Sequence, residues 1–449
     1  METQTYTEDK ALFLETFGCQ MNERDSERIL GFLKGLNYRV VDDPKRADLI
    51  IVNTCSIREK AEHKLYSTLG RFKRLKEKRP HLIIGVGGCV AQQEGERLFK
   101  RARYLDIVFG THNIHRLPEL VKGVKTMRTR SLATEFYDTI EPEGPSEYLL
   151  DAARVKAFVT IMQGCNNFCT YCIVPYVRGR EVSRGGEEIL EEVRGFAVAG
   201  VKEVTLLGQN VNCYGHSSSI SFTMLLKMVC GVDGIERVRF VTSHPRDLSD
   251  DLINLFGRER KLCRHIHLPI QSGSNRVLQK MNRGYTREAY LEKVYKLRKV
   301  CPGIGITTDI IVGFPGETDD DFNATLNLLK LVEFDNIFSF KYSPRPQTSA
   351  ASFTDQVPED VKLERLKIVQ DLQRSIALRK NQAMAGRVEE VLVEGKSKGD
   401  PEELTGRTSC NKIVNMPGSK ELVGELIPVR IERAYLNSLR GQVKEGLCC

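Results

Sequence analysis

Three cysteines, Cys165, Cys169 and Cys172, stand within eight residues of one another. They follow an apolar run, 155–162, which predicts a buried strand. Three thiolates on one short loop can bind three irons of a four-iron cluster, and the fourth iron is then left free to bind and reduce a substrate. The alternatives are a zinc site with a distant fourth ligand, or three unrelated buried thiols. A zinc site would normally bring a second Cys pair or a His pair close by, and neither follows.

A second set of three cysteines lies nearer the amino terminus, at Cys19, Cys55 and Cys89. Each one follows a short apolar run, and amphipathic stretches of helical period separate the runs. This alternation predicts a parallel sheet with helices on both faces. Because parallel strands end at one edge, the three cysteines are expected to meet there as a second three-thiolate site. The alternative is that they are ordinary core residues.

Composition limits the classes of protein that need to be considered. The 449 residues are too many for one core, and no apolar run is long enough to span a membrane. The polar start is unlike a secretory signal, so we expect a cytoplasmic protein. Thirteen cysteines, an odd number in a long chain, argue against a disulfide framework and for metal ligation. The net charge of +8 permits a polyanionic partner without requiring one.

The remaining pattern predicts three domains. Residues 11–125 form the parallel α/β domain, and 126–151 are polar and predict a linker. Residues 152–380 repeat six βα units, which predicts a partial (β/α) barrel with polar strand ends at its carboxyl rim. Residues 384–447 change to short alternating strands with Gly and Pro turns, which predicts a small antiparallel β-barrel.

The cysteine motifs carry a family resemblance. The loop GCNNFCTYC, with Tyr171 before its last cysteine, resembles the radical S-adenosylmethionine (SAM) superfamily. The motifs ETFGCQMN, IVNTCSIR and GVGGCVAQ are similar to the three signatures of the radical SAM methylthiotransferases, and the carboxyl-terminal segment resembles the RNA-binding TRAM module. The resemblance implies a flavodoxin-like domain, a (β/α)6 radical SAM barrel and a TRAM barrel. It also implies a 4Fe–4S cluster on each set of cysteines, with SAM bound at the open iron of the cluster on Cys165, Cys169 and Cys172.

The resemblance and the polar rim of the predicted barrel together suggest which residues contact SAM and RNA. Tyr171 is expected against the adenine of SAM, and the further SAM candidates are Gln209, Gln271, Ser272, Asp309, Gly313 and Arg180. For the glycine a simple tight turn is the alternative. One of Arg178, Arg180 and Arg184, which follow the cysteine loop, could pair with the SAM carboxylate or with an RNA phosphate, and a surface position capping a helix is the alternative. Contacts to RNA phosphates are expected from Arg407, Lys412, Arg430 and Arg433.

The resemblance implies a reaction and its partners. One SAM would donate a methyl group to cluster sulfur, and a second would give the 5′-deoxyadenosyl radical that removes hydrogen from carbon 2 of an adenine. The motif around Cys19 is most like that of enzymes acting on isopentenyl-adenosine beside the tRNA anticodon. The alternatives are threonylcarbamoyl-adenosine in tRNA, a ribosomal protein aspartate, or a non-catalytic iron-sulfur RNA-binding protein. Expected partners are tRNA, an electron donor such as flavodoxin or ferredoxin, and a sulfur donor or cluster-repair protein; the chain is expected to be a monomer. In the segment YSPRPQT, 342–348, Gln347 stands where the family usually has glycine.

Overall fold

The computed structural model describes residues 10–56, 59–140, 154–215 and 220–444, which form two compact units. The first unit contains a six-stranded parallel sheet. Its strands are β1 (Lys10–Thr16), β2 (Tyr38–Val40), β3 (Leu49–Thr54), β4 (Ile83–Gly88), β5 (Ile107–Phe109) and β6 (Ser131–Ala133). Their order is β2-β1-β3-β4-β5-β6, which extends the 2-1-3-4-5 order of flavodoxin-like sheets by one strand. The flavodoxin-like prediction is therefore confirmed.

Helices cover both faces of this sheet. They are α1 (Gln20–Lys34), α2 (Glu59–Lys78), α3 (Cys89–Glu94), α4 (Arg97–Arg101) and α5 (Leu117–Met127). Alternation along β3 explains the two layers, since Ile50 and Val52 pack in the core with α2. Leu49 and Ile51 point the other way, into the core with α1 and α5. Burial on both faces is why these strands appear in the sequence as continuous apolar runs.

Two strands of the sheet were not predicted. β2 and β6 have three residues each and are partly exposed, so neither forms an apolar run that could reveal it. β6 lies inside the segment 126–151, which the sequence predicts to be a linker. The prediction is wrong for this part of the segment, because β6 pairs with β5 and belongs to the sheet. The rest of that linker from residue 141 lies outside the described residues.

Between residues 154 and 184 the chain contributes to both units. Strand β7 (Lys156–Thr160) and residues 167–172 belong to the second unit. Strand β8 (Met162–Gln163), helix α6 (Val174–Arg178) and strand β9 (Val182–Ser183) belong to the first, where β8 and β9 pair antiparallel. The predicted single strand 155–162 is therefore two short strands.

The second unit contains the predicted partial barrel. After β7 come β10 (Glu203–Leu207), β11 (Arg237–Phe240), β12 (His265–His267), β13 (Gly305–Val312) and β14 (Asn336–Lys341). They form two parallel three-stranded sheets, in the orders β11-β10-β7 and β12-β13-β14. A parallel bridge joins Val238 of β11 to Leu262, close before β12. The predicted six strands are confirmed.

Helices follow the strands of the barrel. They are α7 (Gly186–Val198), α8 (Phe222–Cys230), α9 (Asp250–Arg258), α10 (Asn275–Lys280), α11 (Arg287–Val300), α12 (Asp319–Val332) and α13 (Glu359–Gln382). Serine or threonine side chains cap the first turns of several of them, as Ser274 does for α10. Thr318 and Asp321 form a capping box on α12, which fixes where the polar rim segment after β13 ends.

A closed five-stranded barrel ends the second unit. Its strands are β15 (Val388–Lys396), β16 (Glu403–Thr408), β17 (Ile413–Pro417), β18 (Leu426–Ala434) and β19 (Leu439–Val443). The prediction of a small barrel is confirmed; one pair, β17 with β19, is parallel, whereas the prediction was antiparallel throughout. None of the described helices of the chain combines the length and the apolar composition that a membrane crossing requires.

Buried arginines attach this small barrel to the larger one. Arg237 donates hydrogen bonds of 2.6 Å to the carbonyl of Arg407 and 2.9 Å to that of Glu390. Arg239 donates to the carbonyls of Thr408 and Ser409 at 2.8 and 3.1 Å. These bonds are made by side chains of β11, so the two barrels of the second unit share a polar interface.

Candidate active site

The amino-terminal set of cysteines lies at one edge of the parallel sheet. Cys19 is the residue before α1, Cys55 follows β3, and Cys89 begins α3 directly after β4. Because β1, β3 and β4 are adjacent, the three chain segments leave the sheet side by side. A hydrogen bond with Cys55, helped by the charge of Arg178 and opposed by burial, lowers the pKa of Cys19 to about 6. Three residues far apart in sequence are thus brought together.

Glycines allow these cysteines to approach one another closely. Gly18 has a φ of +136°, and a Cβ there would lie 2.4 Å from the Cβ of Cys55. Gly88 has a φ of +90°, and its Cβ would lie 2.5 Å from the carbonyl oxygen of Thr54. A side chain at either position would push the segments apart. These contacts give a physical reason for the glycine before Cys19 and the one before Cys89.

A buried arginine accompanies this set. Arg178 is 3 % exposed and donates a hydrogen bond of 2.6 Å from Nη2 to Oδ2 of Asp25. Its Nη1 has no hydrogen-bond partner among the described residues. The same helix packs Ile173 and Val177 against Cys89. Burial raises the pKa of Cys89, and the charge of Arg178 opposes that rise, so the guanidinium favours the thiolates. The predicted alternative of a surface position is wrong for Arg178 and for Arg184, which is also buried, whereas Arg180 is exposed.

The other set, Cys165, Cys169 and Cys172, lies on the loop between β8 and α6. The N–H of Cys165 donates to the carbonyl of Gly179 at 3.2 Å within the first unit. Cys169 and Cys172 belong to the second unit, where the N–H of Cys172 donates to the carbonyl of Cys169. Thr170 fixes this part of the loop, because its N–H and hydroxyl donate to the carbonyls of Met281 and Lys280. The loop is therefore positioned by the end of α10.

A second buried arginine contacts this loop. Arg283 donates from Nη1 to Sγ of Cys169 at 3.4 Å and to the hydroxyl of Tyr171 at 3.4 Å. Its Nε donates to the hydroxyl of Tyr285 at 2.8 Å, and Nη2 donates to the carbonyl of Pro269 at 2.8 Å. Tyr171 also packs against an apolar cluster that contains Met281 and Phe314. The sequence does not indicate Arg283, because a lone arginine far from the cysteines forms no motif.

The SAM candidates occupy different environments. Gln271 has a φ of +73° and exchanges backbone hydrogen bonds with β13, to the carbonyl of Asp309 and from the N–H of Ile311. Ser272 is fully buried and accepts a hydrogen bond from the N–H of Ser274, so it serves the local turn. Gln209 is half-buried at the end of β10. At Gly313, with a φ of +67°, a Cβ would meet the side chain of Lys362 at 2.3 Å. The close approach at Gly313 is therefore to a lysine of this chain.

Strands β13 and β14 present one partly open face. Asp309 pairs in register with Phe338, and Ile311 pairs with Phe340. Phe338 and Phe340 are 44 % and 39 % exposed, whereas Ile337, one residue along β14, is buried. The ring of His267 contacts the edge of Phe338, and its Nε2 lies 3.4 Å from Oδ1 of Asp309. Aromatic surface and a polar pair therefore share this face.

The four predicted RNA contacts divide into two groups. Lys412 is largely buried and pairs with Asp335 at 3.1 Å, and Arg407 pairs with Glu394 at 3.2 Å. Neither is available for a phosphate without breaking its ion pair. Arg430 and Arg433 are exposed on β18, and neither forms an ion pair among the described residues. Of the four predicted residues, Arg430 and Arg433 are therefore the two that could contact an RNA phosphate without losing an ion pair.

The described residues contain no group of three or more His, Cys, Asp or Glu side chains placed to hold a single metal ion. A zinc site requires its ligands at about 2.0–2.3 Å from one ion. In a four-iron cluster each thiolate binds a different iron, so the sulfurs stand farther apart.

Comparison with known proteins decides the family. Three family models match along the chain: the uncharacterized protein family UPF0004 over residues 11–110, the radical SAM superfamily over 159–329 and the TRAM domain over 382–444. The tRNA-2-methylthio-N(6)-dimethylallyladenosine synthase of Syntrophus aciditrophicus is 53 % identical over 97 % of this chain and 94 % of its own. That of Geotalea uraniireducens is 54 % identical over 97 % and 99 %. The chain belongs to the family of tRNA-2-methylthio-N(6)-dimethylallyladenosine synthases.

Solved structures support the fold of this methylthiotransferase family member. The radical S-adenosylmethionine methyltransferase TsrM from Kitasatospora setae, solved with cobalamin and a 4Fe–4S cluster, has a TM-score of 0.55. It is 14 % identical and covers 77 % of this chain and 74 % of its own. The cobalamin-dependent radical enzyme OxsB has a TM-score of 0.52, with 80 % of this chain and 56 % of its own covered. At these identities the likeness extends to the fold alone.

Proposed function

We propose that this chain is a radical SAM methylthiotransferase that converts isopentenyl-adenosine beside the tRNA anticodon to its 2-methylthio derivative. The observation that supports this function most strongly is the nearly full-length match to tRNA-2-methylthio-N(6)-dimethylallyladenosine synthases. The convergence of Cys19, Cys55 and Cys89 at one sheet edge supports it, because a second cluster distinguishes this chemistry from simple SAM cleavage. The threonylcarbamoyl-adenosine and ribosomal protein alternatives become outcomes of the test below.

The residues present fit two 4Fe–4S clusters. Cys19, Cys55 and Cys89 would hold one, and the guanidinium of Arg178 lowers the pKa of Cys19 and opposes the rise in the pKa of Cys89. Cys165, Cys169 and Cys172 would hold the other, with Arg283 donating to one thiolate. When bound, the clusters and SAM supply the sulfur, the methyl group, the reducing electron and the radical. The protein holds and orients these groups.

The open face of β13 and β14 is the proposed surface for the modified base. Phe338 and Phe340 offer apolar area to an isopentenyl group, and the imidazole of His267 offers hydrogen-bonding atoms beside it. Stacking on an aromatic ring contributes about 1–3 kcal/mol per base. Tyr171, Gln209, Gln271, Asp309 and the exposed Arg180 remain the proposed SAM contacts, and Ser272 and Gly313 shape the turns beside them.

Binding of tRNA is proposed through the small barrel. Arg430 and Arg433 are the exposed cations there, and phosphate contacts of this type orient a nucleic acid without reading its sequence. The base must leave its stack to reach a buried radical site, which costs a few kcal/mol that these contacts offset. We further propose a monomeric, cytoplasmic enzyme that receives electrons from a flavodoxin or ferredoxin and sulfur from a donor or cluster-repair protein.

Anaerobic reconstitution tests the function. Purified protein is loaded with iron and sulfide, and then incubated with SAM, a reductant and isopentenylated tRNA. Nucleosides are analysed by mass spectrometry, and tRNA without the isopentenyl group is the matched substrate control. We expect about eight irons per chain, four from each cluster, and 2-methylthio product only from the isopentenylated tRNA.

Other results would identify the alternatives. The protein could cleave SAM but form no product on isopentenylated tRNA. If it then methylthiolated threonylcarbamoyl-adenosine or a ribosomal protein, it would still be a methylthiotransferase, but with that other substrate. Clusters that assemble without any SAM cleavage would contradict the proposed function and favour the non-catalytic iron-sulfur protein.

A further inference from the structure

Arg283 is a buried cation with no carboxylate partner. Its side chain is 5 % exposed, and its hydrogen bonds go to two tyrosine hydroxyls, a backbone carbonyl and the sulfur of Cys169. Arg283 forms no ion pair with a carboxylate in the described part of the chain, and its neighbours are Tyr171, Tyr285 and Cys169. Burying a charge without a counter-ion is costly, so natural proteins seldom do it without a reason.

Arg178 and Arg283 differ in whether a carboxylate balances their charge. Both arginines are buried and each lies beside one set of cysteines. Arg178 has Asp25 as its carboxylate at 2.6 Å, so the pair is neutral before any cluster binds. The positive charge of Arg283 is not balanced in this way, and the atom of the cysteine loop that it contacts is Sγ of Cys169.

A 4Fe–4S cluster held by Cys165, Cys169 and Cys172 would supply the missing negative charge. In its oxidised 2+ form the cluster core and three thiolates sum to −1, and one added electron makes the sum −2. A fixed positive charge nearby stabilises the second state more than the first, which raises the reduction potential. The contact is a charge-assisted hydrogen bond to a ligand sulfur, which is one of the ways in which proteins tune such clusters.

We propose that Arg283 is the resident counter-charge of the cluster at Cys165, Cys169 and Cys172, and that it makes this cluster easier to reduce by one electron. It is a positioning residue, because it acts through Cys169. The electron comes from a low-potential one-electron donor, and no proton transfer is required. This inference rests on the proposed function, since it assumes that the cluster forms at these three cysteines.

The surrounding contacts keep the guanidinium in place. Tyr285 accepts from Nε of Arg283 and donates to the carbonyls of Pro269 and Ile270. Asn282, next to Arg283 and with a φ of +57°, donates to the carbonyls of Asn167 and Phe168 in the cysteine loop. The arginine and the loop are therefore held by adjacent residues of one turn, so their separation is fixed by the fold.

A redox titration tests the proposal. The full chain carrying Cys19→Ala, Cys55→Ala and Cys89→Ala leaves one cluster to observe, and its midpoint potential is measured by electron paramagnetic resonance without SAM. In this background Arg283→Gln is expected to shift the potential to more negative values. Arg283→Lys, which keeps the charge, is expected to stay closer to the parent. So is Tyr285→Phe, which removes a neutral hydroxyl and leaves the guanidinium in place.

The outcomes separate this inference from the proposed function. If the parent chain binds no cluster at Cys165, Cys169 and Cys172, the proposed function fails. If the cluster forms and Arg283→Gln leaves its potential unchanged, only this inference is overturned; a raised KM for SAM in that case would make Arg283 a SAM contact. Should Arg283→Gln lose iron, Arg283→Met replaces it, and an unchanged potential there likewise overturns the inference.

Discussion

Arg178 and Asp25 are joined by a hydrogen bond of 2.6 Å although 153 residues separate them in sequence. Both side chains are 3 % exposed. The pair connects helix α6 to helix α1, at the end of α1 where Cys19 stands. The ion pair therefore belongs to the structure around the amino-terminal set of cysteines.

Removing the carboxylate should destabilise the first unit. In Asp25→Asn the guanidinium of Arg178 loses its counter-ion while it stays buried, which typically costs about 3–5 kcal/mol. Urea unfolding of the apo-protein measures the change. Asp42→Asn, outside the buried core, is the control with the same chemical substitution. Equal stability of the two variants would contradict a structural role for the pair.

Mutations in the two sets of cysteines should abolish different activities. Cys169→Ala removes a ligand of the proposed SAM-binding cluster, so SAM cleavage is expected to stop. Cys55→Ala should leave some SAM cleavage but stop methylthiolation, because only the amino-terminal cluster is removed. The assays are 5′-deoxyadenosine release and nucleoside mass spectrometry. Cys301→Ala, a buried cysteine outside both sets, should retain both activities; normal 2-methylthio product from either ligand variant would refute the assignment.

Substrate selection should depend on Phe338. Truncation to alanine removes apolar surface from the open face of β14, and removing apolar contact area of that size costs about tenfold or more in kcat/KM. We expect this decrease with isopentenylated tRNA and little change in SAM cleavage without tRNA. Tyr295→Ala, at an exposed aromatic residue on α11, is the matched control. If both variants process the tRNA alike, the base binds elsewhere.

Binding of tRNA should respond to Arg430 and Arg433 but not to Lys412. Replacing both arginines with glutamine should weaken binding and lower the slope of log K against log salt by about 1 for each phosphate that is no longer neutralised. Lys412→Gln should leave that slope unchanged and reduce stability instead, because Lys412 pairs with Asp335. Filter binding at several salt concentrations measures the slope, and urea unfolding measures the stability. The reverse pattern would mean that tRNA binds to the other face of the barrel.

Two buried histidines should make the protein less stable in mild acid. Burial, and the charges of Arg283, Arg246 and Lys293, lower the pKa of His244 to about 2. Burial and the charge of Arg239 lower the pKa of His265 to about 3. Since the unfolded chain binds these protons near pH 6.5 and the folded chain does not, the stability present above that pH is lost as the pH falls.

The expected size is about 1 kcal/mol for each histidine between pH 7.5 and 5.5. Urea unfolding of the apo-protein at the two pH values measures the total. The double variant His244→Gln, His265→Gln should show a smaller difference between the two pH values than the parent. An equal difference would mean that other groups dominate the pH dependence.

The sequence predicts the elements of this protein better than their long-range contacts. The repeat of strand-like and helical segments locates the six barrel strands. It does so although β11 carries the buried Arg237 and Arg239. Such a pattern does not locate β2 or β6, which are short and lie at the two edges of their sheet. Close spacing in the sequence identifies one set of cysteines as a candidate cluster site, and the position of each cysteine after a predicted strand identifies the other set. Arg283 is not identified in this way, because its significance depends on a partner 114 residues away and on the absence of a carboxylate partner among the described residues.

The hydrogen bonds of Arg237 and Arg239 to the carbonyls of the last barrel have a further consequence. A module on a flexible tether would search a volume set by the length of its tether, and its contribution could be expressed as an effective concentration. Here the two barrels turn together as parts of one unit. Any tRNA held by Arg430 and Arg433 would therefore meet the larger barrel at one fixed angle, and lengthening the chain between the barrels would give no added reach while these bonds persist.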